Sequence, residues 1–184
     1  MSEDALFHRL YSVGHSNIPI DKFIALLKQH SIQVVVDVRS YPFSKYATHF
    51  NYDAIQPSLK GASIKYLYLG KELGGMPKNP EFYDRDGNIV YAKVASSPAF
   101  QGAIARLVRG AQSHTIALMC GEENPAGCHR RHLLGPALRN QDLELLHIRA
   151  GGQVQSERDL ENLENPVEDA QQLSLFDSGR DSGI

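Results

Sequence analysis

Thr115 to Leu138 reads TIALMCGEENPAGCHRRHLLGPAL. It opens as a short apolar run, Ile116-Ala117-Leu118-Met119, of the length and composition expected for a strand buried on both faces. Cys120 ends that run, and Gly121 to Gly127 is rich in turn formers. From Cys128 onward the period changes, because Leu133, Leu134, Ala137 and Leu138 recur at spacings of three and four. A strand therefore runs through a loop into a helix, and both cysteines, Glu122, His129 and Arg130 crowd that junction. In open α/β sheets such junctions are where ligands bind. A helix start also favours a thiolate or a bound anion.

The same rhythm extends outward. Leu10 to Val13, Val34 to Val36, Ile64 to Leu69 and Glu144 to Ile148 read as further strands. Helices are expected from Pro19-Ile20 (apolar face Ile20, Phe23, Ile24, Leu27), near Asp53–Leu59, and over Phe100–Arg109. Strands alternating with helices imply an α/β fold, with a mostly parallel sheet covered by helices on both faces as a Rossmann-like three-layer sandwich. The segment SYPFSKYATHFNY, residues 40–52, reads as an irregular aromatic loop. Met76 to Ala92, with an Asp86-Gly87 turn, reads as a small hairpin over the site.

The chain has 184 residues and two cysteines, and no apolar run of membrane-crossing length. Its start lacks a basic stretch followed by an apolar one. A cytoplasmic location, no membrane association and unpaired thiols are expected. Residues 1–150 carry 17 Lys+Arg against 13 Asp+Glu, and residues 151–184 carry 2 against 8. One domain over 1–150 and an acidic, flexible tail over 151–184 follow from that shift. The mildly basic body permits an anionic ligand.

Four segments follow the expected strands: Gly14-His15-Ser16, Asp37-Val38-Arg39, Gly70 to Gly75, and Cys120 to Arg130. In a parallel sheet these ends converge on one edge, where they would build one cleft. Candidate catalytic residues are Cys128, His129, Glu122, His15 and Asp37, and candidate substrate-binding residues are Arg39, Arg130, Ser16, Tyr41, Gly74 and Gly75. Simpler readings stand beside them. His15 would cap a helix, Asp37 and Arg39 would form a structural ion pair, Gly74-Gly75 would permit a turn, and Glu122 would be a solvated loop acid. Tyr41, Phe43, Tyr46, Phe50 and Tyr52 either stack bases or pack their loop against the core. Cys128 reads as an activated nucleophile, as an inert thiol, or with Cys120 and His132 as ligand to a divalent metal; the set is short of a full zinc site, and whether any cofactor is bound stays open.

These motifs, GHS (14–16), DVRSYPFS (37–44), LGKELGG (69–75), and CGE with CHR (120–122 and 128–130), resemble the domain-of-unknown-function family numbered 488 over roughly residues 10–148. The resemblance implies an α/β sandwich with the motifs in one cleft and carries no assigned reaction. Separately, Gln172-Leu173-Ser174-Leu175-Phe176 resembles the pentapeptide by which bacterial polymerases and repair proteins bind the sliding clamp. An extended acidic tether displaying Leu173, Leu175 and Phe176, with Gln172 supplying hydrogen bonds, suits such a groove; the other reading is a strap packed on the body. The leading expectation is an uncharacterised cytoplasmic bacterial enzyme, a cysteine-dependent or metal-assisted hydrolase or transferase, acting on a nucleic acid or nucleotide-like anion and recruited to the clamp in DNA repair or replication. The alternatives are a non-catalytic, metal- or redox-sensing clamp adaptor and a small-molecule hydrolase or transferase.

Overall fold

The computed structural model describes residues 8–164. The clamp-like peptide at 172–176 lies outside the described residues.

The strands β1 (His8–Gly14), β2 (Val34–Asp37), β3 (Lys65–Tyr68), β4 (Ile116–Cys120), β5 (Leu143–Ile148) and β6 (Val154–Gln155) form one sheet in the order β3-β2-β4-β1-β5-β6. All pairings are parallel except β5 with β6. Helices α1 (Ile20–Gln29) and α2 (Tyr52–Gly61) cover one face, and α5 (Pro98–Ala111) and α6 (Gly135–Arg139) cover the other. The fold is the expected three-layer α/β sandwich.

Strand β4 shows why. Ala117 and Met119 enter the core with Phe23, Leu27, Ile55 and Leu59, whereas Leu118 and Cys120 enter the one with Phe100, Ile104, Leu107 and Leu134. A strand buried on both faces has no polar alternation. Helix α5 starts where Ser97 Oγ accepts from Phe100 N at 3.3 Å, ahead of Pro98 in the first turn.

Three features depart from the sequence reading. The segment after β3 is a short helix, α3 (Gly70–Leu73), and α4 (Tyr91–Ala95) follows the expected hairpin, which is one bridge, Tyr83 with Ile89. The helix after Cys128 begins with a π turn over Arg130–Leu134, closed by Gly135 N donating to Arg130 O, before α6. Pro136, without an N–H, suits that widened turn. The architecture also runs past residue 150, the expected edge of the tail: β6 pairs with β5, and α7 (Glu157–Glu164) seats Leu160 in the body. A helical turn around Leu160 and Leu163 is the expectation from the sequence; the structure extends it to the eight residues of α7, which buried polar contacts, described below, anchor. Among the described residues no helix is long and apolar enough to cross a membrane.

Candidate functional site

Strands β1, β2 and β4 end side by side, with Gly14 opposite Cys120 and Asp37 opposite Met119. The ladders run on past the ends: His15 N donates to Cys120 O at 2.9 Å, Ser16 N to Gly121 O at 2.9 Å, and Val38 N to Met119 O at 3.0 Å. This brings three of the expected segments to one edge. Gly14 has to be glycine, because a Cβ there would lie 1.8 Å from the carbonyl oxygen of Glu122.

Cys120 and Cys128 are both buried, with their sulfurs 3.6 Å apart. His129 Nε2 sits 3.2 Å from Val38 O and so carries a hydrogen, which turns Nδ1 toward Cys128 Sγ at 3.7 Å and Cys120 Sγ at 4.0 Å. Arg130 is fully buried, and its Nε donates to Cys128 Sγ at 3.3 Å. The two thiols are driven apart in acidity. Cys128 is pulled well below the ordinary thiol range, first by its hydrogen bond with Cys120 and then, against burial, by His129 and Arg130. Cys120 is pushed up by the same hydrogen bond and by burial. The sulfur beside Arg130 therefore holds the negative charge, and Cys120 keeps its proton.

Arg130 does not reach outward as a substrate clamp. Its Nη1 donates to Ser12 Oγ at 3.2 Å, and its Nη2 donates to Glu122 O and, at 3.4 Å, to Glu123 O. Ser12 Oγ lies 2.6 Å from His147 Nδ1, and His147 Nε2 lies 2.8 Å from Glu157 Oε1. An ionised Glu157 only accepts, so His147 Nε2 carries the hydrogen and Ser12 donates to Nδ1. Burial raises the Glu157 carboxyl, yet His147 and Arg131 outweigh it and hold the group low. A buried wire thus links α7 to the Cys128 sulfur.

Asp37 is saturated. Oδ1 accepts from Arg39 N at 3.1 Å and Arg39 Nε at 2.9 Å, and Oδ2 accepts from Arg39 Nη2 at 2.6 Å and Tyr66 OH at 2.7 Å. No lone pair is left aimed at a substrate, so the geometry makes Asp37 the holder of Arg39. Arg39 Nη2 also donates to Phe50 O at 2.8 Å, and Nη1 donates to His15 Nε2 at 2.9 Å. Of the five guanidinium N–H groups one remains, on Nη1. His15 donates from Nδ1 to Ser16 O at 2.6 Å and stacks on Phe50 with ring centroids 4.2 Å apart. Burial, then the charge of Arg39, hold its ring down to about 4 from the ordinary 6.5. His15 is therefore neutral and supports Arg39 rather than Cys128.

A cavity of about 440 Å³ opens over this edge, lined among others by Arg39, Tyr41, Gly75, Glu122, Cys120, Cys128 and His129. Gly75 lies against His129, where an added Cβ would be 2.8 Å from the ring's Cγ, and Gly74 is pressed against Ser40. Close approach explains this glycine pair. Glu122 lies exposed at the rim, Ser16 is exposed with φ of 46°, and His132 is exposed with Nε2 against Ala126 O. Of the expected metal set, His132 is turned outward to Ala126 O, and His129 instead joins Cys120 and Cys128, the three offering ligand atoms within 4.8 Å of one another. Such a soft set suits zinc or a similar ion.

Sequence reasoning missed Ser12, His147 and Glu157. The available signal was a polar residue inside each of two apolar strands, since a serine or histidine buried among leucines needs a buried partner. Tyr91 and Met76, which also line the cavity, come from the segment read as a hairpin.

A family model described as "Domain of unknown function DUF488" matches residues 19–135. The matched range takes in Asp37, Arg39, Gly75 and the Cys120–Arg130 segment, but not His15, His147 or Glu157. No curated protein and no solved structure matches the chain.

Proposed function

The chain belongs to the DUF488 family, whose description assigns no reaction, and from the cleft itself we propose a cysteine-dependent hydrolase or transferase acting on a nucleic acid or nucleotide-like anion. The observation that carries this is Cys128 in the lining of a cavity of about 440 Å³, with a buried guanidinium donating to its sulfur. Cys128 is the nucleophile, Arg130 stabilises its thiolate, and His129 Nδ1 lies 3.7 Å from the sulfur. Arg39, held rigid by Asp37 and His15, offers its remaining N–H to an anionic group. Glu122 at the rim is the acid available for proton transfer. Tyr41, which lines the cavity, and Phe43, Tyr46 and Tyr52 of the same loop are exposed while Phe50 is buried, which supports base stacking by the loop rather than packing alone. A cytoplasmic setting and recruitment to the sliding clamp through Gln172, Leu173, Leu175 and Phe176 complete the proposal, the latter supported by the peptide's sequence.

The test is turnover of oligonucleotide and nucleotide pools by the full chain, followed by mass spectrometry. Cys128→Ser should reduce any turnover by at least about a thousandfold, as loss of a nucleophile does. Turnover that survives in Cys128→Ser rejects the nucleophile. For recruitment, a peptide spanning residues 170–177 should bind a purified clamp at about micromolar affinity. Replacing Leu175 and Phe176 with alanine should abolish that binding, and absence of binding by the unaltered peptide rejects the clamp link.

The Cys120, Cys128 and His129 atoms within 4.8 Å favour one second reading, a metal-binding adaptor without catalysis. His129 Nε2 against Val38 O has the backbone orientation that metal-bound histidines use. Elemental analysis should then find one zinc or similar ion per chain, lost in Cys120→Ser; a metal-free purified protein that ignores added zinc removes this reading.

A further inference from the structure

Neither the nucleophile nor the metal reading uses the approach of Cys120 to Cys128 as chemistry between the two sulfurs. They are the only cysteines in the chain, both are free and buried, and they touch at 3.6 Å. Closing that gap to the ~2.05 Å of a disulfide is a movement of about 1.5 Å between sulfurs already in contact. The loop between them, Gly121 to Gly127, contains two glycines and a proline and no helix or strand, so it can follow such a shift. The pair is also asymmetric. Arg130 Nε donates to Cys128 at 3.3 Å and makes no hydrogen bond with Cys120. Both cysteines line the cavity, which gives a small oxidant a route to the pair.

We infer that Cys128 and Cys120 are a reversible, hydroperoxide-sensitive pair, in which Cys128 is the sulfur oxidised first and Cys120 the sulfur that resolves it. The Cys128 thiolate attacks one oxygen of the peroxide, the O–O bond breaks, and the leaving alkoxide or hydroxide takes a proton from water. Cys128 is then a sulfenic acid. The Cys120 sulfur attacks the Cys128 sulfur, the S–O bond breaks, and the Cys120 proton leaves with the hydroxyl as water. Two thiols have lost two electrons, and the peroxide has gained them. A dithiol reverses the step by exchange. Oxidation removes the proposed nucleophile and two of the three soft ligands at once, so the disulfide is an off state for either reading of the site. The pairing requires no substrate and holds whichever of those readings is right.

The test uses the full reduced chain, with a chelator present so that a bound ion does not shield the sulfurs. It is treated with about one equivalent of hydrogen peroxide, alkylated, and its intact mass is read without reductant. The expected product has lost two hydrogens, about 2 Da, takes up no alkylating agent, and regains both thiols with dithiothreitol. Cys120→Ser should stop at the sulfenic acid, trapped by a dimedone-type nucleophile, and then take up a second oxygen. Cys128→Ser should keep Cys120 as a free thiol under the same dose. The inference is overturned if the unaltered chain accumulates sulfinic acid with no disulfide, or if Cys120 oxidises as readily in Cys128→Ser as Cys128 does in Cys120→Ser. The first of these readouts needs no variant, so misfolding of either one leaves the inference falsifiable.

Discussion

Arg130→Met should destabilise the protein by about 3 kcal/mol or more and return the Cys128 thiol toward its ordinary value near 8.5. Methionine fills the volume but supplies no donor to the sulfur, to Ser12 Oγ or to the Glu122 carbonyl. Leaving buried acceptors unmet accounts for the loss of stability. The pH dependence has a definite sign. The folded value of Cys128 is depressed, so its ionisation contributes stability fully above the unfolded thiol value of ~8.5, and that contribution drains as pH falls toward the folded value. The stability difference between the native chain and Arg130→Met should accordingly widen from acid to alkaline pH. Alkylation of Cys128 should shift to higher pH in Arg130→Met. Glu157→Gln, which keeps the shape of the far end of the wire but removes its charge, should shift the alkylation profile in the same direction by less. If the alkylation profile of Arg130→Met overlays the native one, the guanidinium does not set the reactivity of Cys128.

This wire marks the limit of what the sequence discloses. Val34 to Val36 and Ile116 to Met119 are legible because a buried parallel strand has only apolar residues to show, and their ends then point to Asp37, Arg39 and Cys120. Partnership is not legible in the same way. Arg39 and Arg130 look alike as arginines beside a strand end. One is fixed by a carboxylate two residues away and keeps an N–H for the cavity, while the other is consumed behind the sulfur by groups up to 118 positions distant. The π turn was hidden for a related reason. A helical period of three and four carries both Leu133-Leu134 and Ala137-Leu138, and one widened turn between them leaves that pattern intact. Helices α3 and α4 are too short for periodicity to register, and α7 shows in the sequence only as a turn around Leu160 and Leu163, without the contact of Glu157 that fixes it to the body.

Acidification should unfold the arginine-holding half of the cleft through His15. The groups that face its ring are Arg39, Asp37 and His49, together with the Ser16 carbonyl and the Phe50 ring. Nδ1–H is committed to Ser16 O, and Nε2 must stay unprotonated to accept from Arg39. A proton on Nε2 would set two cations at hydrogen-bond distance in a site where His15 is 4% exposed. The folded value, about 4, lies below the unfolded 6.5. The neutral ring's contribution is therefore complete above pH 6.5 and is lost as pH falls toward 4, roughly 3 kcal/mol over that interval. Denaturant midpoints measured from pH 7 down to about 4 should show that loss in the native chain. His15→Gln should start less stable, because the amide stacks poorly on Phe50, but its midpoint should change distinctly less over the same range. The chemistry at Cys128 should survive that substitution better than anion binding does, since His15 touches Arg39 and makes no hydrogen bond to either sulfur. If the native chain and His15→Gln lose stability in parallel between pH 6.5 and 4, His15 is not the acid-sensitive support of Arg39, and the loss has to come from another ionisable group.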